Sequence, residues 1–338
     1  MTKILIIYTG GTIGMVNDPL TGALIPFDFK QIRQNVPELT RLNYDIEVHS
    51  FDPIIDSSNM NPVIWAELAS IIERTYNDYD GFVILHGSDT MAYTASALSF
   101  MLKNLGKPVV LTGSQLPIGE IRTDAKENLI TALEIVATKI DGRAMVPEVC
   151  IYFDYQLFRG NRSIKYNSEK FEAFQSPNYH ILAEAGVNLS FYSNYIHHHP
   201  KEPLSVQTTF NSNIGVLKLY PGITPQAVHA ITRSSVDAIV LETFGAGNTT
   251  TAPWFMESLQ EALDNHKLII DISQCHGGSV ELGKYETSKK LQQLGVISGF
   301  DMTFEATITK LMYLMGQPLS PAEIVMLMEQ SLRGELTA

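Results

Sequence analysis

The sequence is poor in cysteine and lacks any excess of positive charge. Its 338 residues include two cysteines, Cys150 and Cys275, which are too few for a disulfide framework and suit a reducing compartment. The chain has 24 basic against 36 acidic residues, for a net charge of −12. Nucleic acid is therefore not an expected partner, because phosphate binding needs a basic surface.

Long apolar runs are also missing, since none approaches the roughly 18 residues of a membrane span. The first strand is predicted to begin at Ile4, which leaves no room for a secretory leader before it. We therefore expect a cytoplasmic protein without a membrane partner.

Signatures of cofactor and metal binding do not occur. A dinucleotide loop needs G-x-G-x-x-G, whereas the early glycines here are Gly10, Gly11 and Gly14, and no Walker-type G-K-[ST] follows them. Three adjacent histidines, His197 to His199, have no spaced Cys or His ligand near them, so we interpret them as part of a solvated linker. No cofactor and no metal are expected.

Short apolar runs that alternate with helical patterns predict an α/β fold with two α/β domains. The larger N-terminal domain, residues 1–193, should have a doubly wound, mostly parallel sheet. Residues 194–213 are interpreted as a linker, and residues 214–338 as a smaller C-terminal domain with a parallel sheet. The predicted strands cover 4–7, 44–51, 80–85, 107–112, 149–153, 214–220, 238–241 and 268–272.

Polar clusters follow several of these strands directly. Thr12 lies on a Gly-Gly turn after the first strand, although a tight turn without chemistry is the alternative. Ser88 and Asp89 follow the strand 80–85, where Asp89 or Thr90 alternatively caps the next helix. Because open α/β sheets bind ligands at the carboxyl ends of their strands, we expect these side chains to share a site.

Two further segments belong to this hypothesis. Asp56, Ser57 and Ser58 follow the strand 44–51, and we expect Asn61 to cap the next helix while both serines stay free. Lys165 stands alone in a polar loop after the strand 149–153, and a lysine that reaches into a site can serve as a base. Hydroxyls, carboxylates and one lysine, without a metal, suit acyl transfer from an amide or ester.

The segments Thr9–Gly14 and Leu85–Met91 resemble the two signature motifs of the bacterial-type L-asparaginases, and the chain looks most like the cytoplasmic type I members. The resemblance implies hydrolysis of L-asparagine to L-aspartate and ammonia by a homotetramer, a dimer of dimers, without a cofactor. It implies Thr12 as nucleophile and Ser88, Asp89 and Lys165 as a companion triad. It also places Asp89 on the substrate's amino group and the Asp56-Ser57-Ser58 loop on its carboxylate.

The chain departs from this family pattern at three places. Ser88 replaces the usual threonine of the second motif, and Leu24 occupies the position of a lid tyrosine. Ile164 and Glu242 replace polar ligands of the allosteric asparagine site that some type I enzymes have, although Cys275 is retained. We therefore expect asparagine saturation to be hyperbolic.

Two other functions remain open from the sequence. An amidotransferase subunit that releases ammonia from glutamine would share the motifs, although such chains usually carry an extra amino-terminal domain. A non-catalytic amino-acid sensor could use the same pocket, although it would not need Lys165 beside the hydroxyls.

Overall fold

The computed structural model describes residues 1–17, 24–26, 36–284 and 286–337, with only the backbone at 17, 24–26, 286 and 287. The chain forms two compact units, Met1–Thr208 and Thr209–Ala338. The segment that we interpret as a linker, 194–213, spans their boundary. Residues Ser205–Val206 pair antiparallel with Leu102–Lys103, so this segment is held to the first unit before the boundary is reached.

The first unit contains sixteen strands and three α-helices within its described residues. Its strands are β1 (Thr2–Tyr8), β2 (Met15–Asn17), β3 (Leu24–Pro26), β4 (Tyr44–Ser50), β5 (Gly81–Leu85), β6 (Leu102–Lys103), β7 (Val109–Thr112), β8 (Lys139–Ile140), β9 (Arg143–Ala144), β10 (Val149–Phe153), β11 (Gln156–Arg159), β12 (Ile164–Lys165), β13 (Phe174–Gln175), β14 (Ala183–Ala185), β15 (Leu189–Phe191) and β16 (Ser205–Val206). Its helices are α1 (Pro62–Thr75), α2 (Met91–Met101) and α3 (Ala125–Ala137).

Eight of these strands form one sheet in the order β15-β14-β11-β10-β7-β5-β1-β4. The five strands from β10 to β4 are parallel, and β11, β14 and β15 add an antiparallel edge. All five residues of β5 and of β10 are buried, as expected for parallel strands covered on both faces. The predicted mostly parallel sheet is confirmed, and its antiparallel edge was not predicted.

The order of the strands reverses around β1, because β4 lies on one side of it and β5 on the other. Such a reversal opens a crevice at the carboxyl ends of the strands, where ligands of doubly wound folds bind. The loops after β4, β1, β5 and β7 meet along this edge.

Helix α1 shows how local sequence sets the element boundaries. The Asn61 side-chain oxygen accepts hydrogen bonds from the backbone N–H groups of Val63 at 3.0 Å and Ile64 at 3.3 Å, and Pro62 occupies the first helical position. The predicted cap at Asn61 is confirmed. Helix α2 ends at Met101, because Leu102 and Lys103 pair with β16 instead.

The second unit has a four-stranded parallel sheet in the order β17-β18-β19-β20, which confirms the predicted smaller parallel-sheet domain. Its strands are β17 (Ile214–Lys218), β18 (Ala238–Thr243), β19 (Leu268–Ser273) and β20 (Ile297–Ser298). Its helices are α4 (Pro225–Thr232), α5 (Pro253–Asp264), α6 (Glu286–Leu294), α7 (Phe304–Met315) and α8 (Pro321–Met328). Within the described residues of both units, no helix is long and apolar enough to cross a bilayer.

Candidate active site

One cavity of about 530 Å³ collects most of the predicted site residues. It opens at the carboxyl ends of β4, β1, β5 and β7, which are neighbours in the sheet. Its lining consists of Gly11, Thr12, Met15, Ile54, Ile55, Asp56, Ser57, Gly87, Ser88, Asp89, Gln115, Lys165 and Ser168. Hydroxyl, carboxylate and ammonium groups from separate parts of the first unit therefore face a common space.

The turn that carries Thr12 depends on its two glycines. Gly10 and Gly11 have φ angles of 142° and 91°, which L-residues with a side chain rarely adopt. A Cβ atom on Gly11 would lie 2.5 Å from the backbone nitrogen of Gly87, so the loops after β1 and β5 touch through two glycines. Thr12 and Ser88, which follow these glycines, line the same cavity.

Ser88, Asp89 and Lys165 form a connected group. The Lys165 ammonium donates to the Ser88 hydroxyl oxygen at 2.8 Å and to a carboxylate oxygen of Asp89 at 2.6 Å. The Lys165 side chain is 16% exposed and that of Asp89 is 68% exposed. The Lys165 side chain is thus mostly buried, while the carboxylate of Asp89 faces the open cavity.

The segment before Lys165 is buried, although its charged sequence is typical of a solvated loop. Arg162 is 2% exposed and Arg159 is 4% exposed. The Arg159 guanidinium forms a buried ion pair with Glu148 at 2.7 Å, and the Ser163 hydroxyl donates to the Arg159 carbonyl oxygen at 2.7 Å. This anchored segment fixes the path of the chain into β12 and so the position of Lys165.

The two serines of the loop after β4 have different roles. The Asp56 carboxylate accepts hydrogen bonds from the Ser58 backbone N–H at 2.9 Å and from the Ser58 hydroxyl at 2.8 Å. These bonds favour the ionised carboxylate and lower the pKa of Asp56. Ser57 lines the cavity and Ser58 does not, so the prediction that both serines stay free is wrong for Ser58.

Thr90 does not cap helix α2 with its side chain, as one alternative proposed. Its hydroxyl donates instead to the Ser57 carbonyl oxygen at 2.7 Å, and Asp89 makes no such cap either. The loops after β4 and β5 are therefore joined by a direct hydrogen bond. The sequence offered no signal for this link, because Thr90 also fits a helix cap.

His86 is fully buried at the end of β5. One ring nitrogen lies 2.6 Å from the Gly87 carbonyl oxygen, and the other lies 2.9 Å from the Thr94 hydroxyl. Burial lowers the pKa of His86 to about 4, so the ring is neutral at pH 7. His86 does not line the cavity, so its role in the fold is structural.

Gln115 and Ser168 line the cavity although the sequence did not mark them as site residues. Gln115 follows Gly113 and Ser114 at the end of β7, in the same position relative to its strand as Ser88 has to β5. The common placement after a parallel strand was the available signal. Nothing comparable marks Ser168, which follows no strand of the large sheet.

The positions at which the chain departs from the family pattern are accounted for in part. The side chain of Leu24 lies outside the described residues. Ile164 is buried in the first unit, and Glu242 in the second unit forms an ion pair with Lys218 at 3.2 Å.

No group of three or more His, Cys, Asp or Glu side chains with metal-site geometry occurs in the described parts of the chain. Within the histidine triplet, a ring nitrogen of His199 lies 2.8 Å from the Ala144 carbonyl oxygen, which is a contact within the first unit. At least one histidine of the triplet therefore has a hydrogen-bonding partner within the first unit.

Family models match nearly the whole chain. The amino-terminal asparaginase domain matches residues 3–197, and the glutaminase/asparaginase C-terminal domain matches residues 213–328. L-asparaginase 1 of Escherichia coli K12 is 43% identical over 336 residues, which cover 99% of this chain and 98% of that protein.

A solved structure and a more distant relative agree with this match. The crystal structure of L-asparaginase I from Vibrio cholerae superposes with a TM-score of 0.91 at 41% identity, covering 100% of this chain and 99% of the other. A component of the glutamyl-tRNA(Gln) amidotransferase of Pyrococcus abyssi is 32% identical over 346 residues, covering 100% of this chain and 77% of that protein.

Proposed function

This chain belongs to the asparaginase family, and we propose that it hydrolyses L-asparagine to L-aspartate and ammonia through an acyl-enzyme on Thr12. The observation that carries the proposal is the single cavity in which Thr12, Ser88, Asp89 and Lys165 meet. These groups supply a nucleophile, a proton relay and a carboxylate at the edge where such sheets bind ligands.

Substrate binding uses the two carboxylates of the cavity. Asp56 and Asp89 line it together, and they attract the α-ammonium group of an amino acid. The Ser57 hydroxyl and the backbone of its loop bind the α-carboxylate. Ser58 contributes by holding the Asp56 carboxylate through its N–H and hydroxyl groups.

The reaction then proceeds in two steps. The Thr12 hydroxyl oxygen attacks the side-chain amide carbon, its proton is removed, and the carbon–nitrogen bond breaks as the nitrogen takes up a proton and leaves as ammonia. A water molecule then attacks the ester on Thr12, which releases aspartate and restores the hydroxyl. In its neutral amine form, Lys165 accepts the Thr12 proton through Ser88 and supplies it to the leaving nitrogen, while Asp89 orients the lysine.

Replacement of the nucleophile tests this mechanism. Thr12→Ala should reduce asparagine turnover by several powers of ten, because it removes the group that forms the covalent intermediate. Thr12→Ser is the matched control, since it keeps a hydroxyl at the same position and should retain measurable turnover. Intact-protein mass spectrometry of rapidly quenched wild-type protein with asparagine should show an acyl adduct that Thr12→Ala lacks. Near-normal turnover by folded Thr12→Ala would contradict the proposal.

Glutamine amide hydrolysis is the second candidate function, and the similarity to an amidotransferase component favours testing it. The two amides differ by one methylene, which typically changes specificity by roughly 10- to 200-fold. Ammonia release from asparagine and from glutamine, measured on the same preparation, ranks the two substrates. A larger kcat/KM for glutamine would make the amidotransferase-type activity the better assignment. A sensor would release ammonia from neither.

We also propose a cytoplasmic homotetramer. An exposed thiol at Cys275 and a buried one at Cys150, both unpaired, support a reducing compartment. Light scattering coupled to gel filtration should give four times the chain mass of 37.6 kDa. A monomer mass at micromolar concentration would contradict the assembly, and fractionation of the source cells tests the compartment.

A further inference from the structure

We propose that Gln115 recognises the side-chain amide of the substrate and discriminates it from the carboxylate of the product. The inference rests on the proposed function and extends it to a residue outside the predicted catalytic set. Gln115 lines the cavity together with Thr12, Ser88 and Lys165. It therefore faces the same space as the groups between which the scissile amide must lie.

The Asp124 carboxylate fixes the backbone of Gln115. Asp124 accepts hydrogen bonds from the Gln115 N–H at 2.9 Å and from the Leu116 N–H at 3.1 Å. The Asn128 amide nitrogen donates to the same carboxylate at 3.3 Å and to the Gly113 carbonyl oxygen at 2.9 Å. The loop after β7 is thus anchored to helix α3 and presents Gln115 in a defined position.

The side-chain amide of Gln115 is also oriented by its surroundings. Its nitrogen donates to the Lys170 carbonyl oxygen at 2.8 Å. A carbonyl oxygen only accepts hydrogen bonds, so the nitrogen must face Lys170 and the side-chain oxygen must point elsewhere. Among the described residues, no group donates to that oxygen.

This unused acceptor has a chemical consequence in a cavity that binds an amide. A substrate NH₂ group carries two donors, and one of them can satisfy the Gln115 oxygen. The carboxylate of aspartate has no hydrogen to donate and places a negative oxygen against the Gln115 oxygen. A site built to accept from an NH₂ group disfavours an analogue that lacks one, because the Gln115 oxygen then faces another acceptor instead of a donor. Gln115 therefore favours substrate over product.

The test measures binding of both ligands without turnover. Titration calorimetry in the Thr12→Ala background gives the Kd of L-asparagine and of L-aspartate. Adding Gln115→Met, which keeps the length and removes the acceptor, should raise the Kd of asparagine about tenfold and leave that of aspartate unchanged or lower. Adding Gln115→Glu should weaken aspartate binding at least about tenfold, since two carboxylates then oppose each other. Gln156→Met, a substitution on strand β11, is the matched control and should change neither Kd.

The outcomes separate this inference from the function on which it rests. Equal changes in both dissociation constants, or none, for Gln115→Met would show that Gln115 only supports the loop and would overturn the inference. An opposite result for Gln115→Glu, with aspartate bound more tightly, would also overturn it. Wild-type protein that releases no ammonia from asparagine would instead contradict the proposed function.

Discussion

The Tyr8 hydroxyl donates a hydrogen bond of 3.2 Å to the Gly14 carbonyl oxygen, which joins the two ends of the turn that carries Thr12. A Cβ atom on Gly14 would lie 2.1 Å from the Tyr8 hydroxyl oxygen, so the ring packs directly on this glycine. Burial raises the pKa of Tyr8 to about 12, and the phenol therefore stays protonated and able to donate at any pH used for assay.

Tyr8→Phe should lower kcat by roughly tenfold and leave KM within about twofold, because the nucleophile loses a constraint while the carboxylates that bind the substrate are untouched. Tyr152→Phe is a matched control, since it removes another buried phenol that donates to Glu127 at 2.6 Å outside the cavity. It should reduce the free energy of unfolding and leave kcat close to wild type. Equal kinetics for the two variants would mean that Tyr8 contributes to stability alone.

Lys165→Met should reduce kcat by at least about a hundredfold with a smaller effect on KM, because the ammonium contacts Ser88 and Asp89 but is not assigned to hold the substrate. Lys170→Met is the control, since its side chain is exposed and its hydrogen bonds to Gln115 and Asn167 are made by its backbone. Steady-state kinetics on both variants decides. A Lys165→Met enzyme with normal kcat and raised KM would show that the lysine binds substrate instead.

Gly11→Ala should abolish turnover and lower the melting temperature. The added Cβ would lie 2.5 Å from the Gly87 nitrogen, and the φ angle of 91° is strained for alanine, so the loops after β1 and β5 must separate. Gly142→Ala is a partial control, because Gly142 also has positive φ, 77°, but no atom within 4 Å of the new Cβ. Thermal unfolding and steady-state kinetics measure both effects. Gly142→Ala should lower the melting temperature through backbone strain and leave kcat/KM unchanged, whereas Gly11→Ala should lower both.

Asp271 should make the second unit less stable as pH rises. Burial raises the pKa of Asp271 to about 7, against 3.8 unperturbed, although the Thr243 hydroxyl donates to it at 2.7 Å. The folded state therefore holds a proton that the unfolded state has lost, and stability falls from about pH 4 until the folded pKa is passed, by up to roughly 1.4 kcal/mol per pH unit. Burial likewise raises the pKa of Glu305 to about 7, so its contribution has the same sign.

Asp271→Asn should remove the part of the pH dependence that the Asp271 carboxyl causes. The free energy of unfolding of the variant should therefore rise relative to that of wild type between pH 5 and pH 8. Urea unfolding at several pH values in this range measures it, with Asp271→Asn and Glu305→Gln compared singly and together. A difference between Asp271→Asn and wild type that stays constant with pH would contradict the raised pKa of Asp271.

Asparagine saturation should be hyperbolic. Cooperativity needs a second ligand site that favours one of two global states. Ile164 is buried and offers no hydrogen bond, and Glu242 is acidic and already pairs with Lys218, so neither position suits the carboxylate of a second asparagine. Initial rates over a wide asparagine range should fit a Hill coefficient of about 1, and a value clearly above about 1.5 would contradict the prediction.

The sequence by itself determined the α/β class and most of the parallel strands of the two sheets. Buried strands such as Val149–Phe153 are continuous apolar runs, and helix starts such as Asn61-Pro62 carry their own capping chemistry, so both are encoded in neighbouring residues. The positions of Thr12, Ser88 and Asp89 in the cavity follow from the same local rule, because each comes directly after a parallel strand.

Only the tertiary structure decided which polar groups face the cavity and which hold one another. Ser57 and Ser58 are equivalent in sequence, yet one lines the cavity and the other bonds Asp56. Thr90 fits a helix cap locally but donates to a loop 33 residues away, and Gln115 lines the cavity because Asp124 and Lys170 hold it there. The direction of a polar side chain depends on partners brought near by folding, and no local pattern along the chain encodes that partnership.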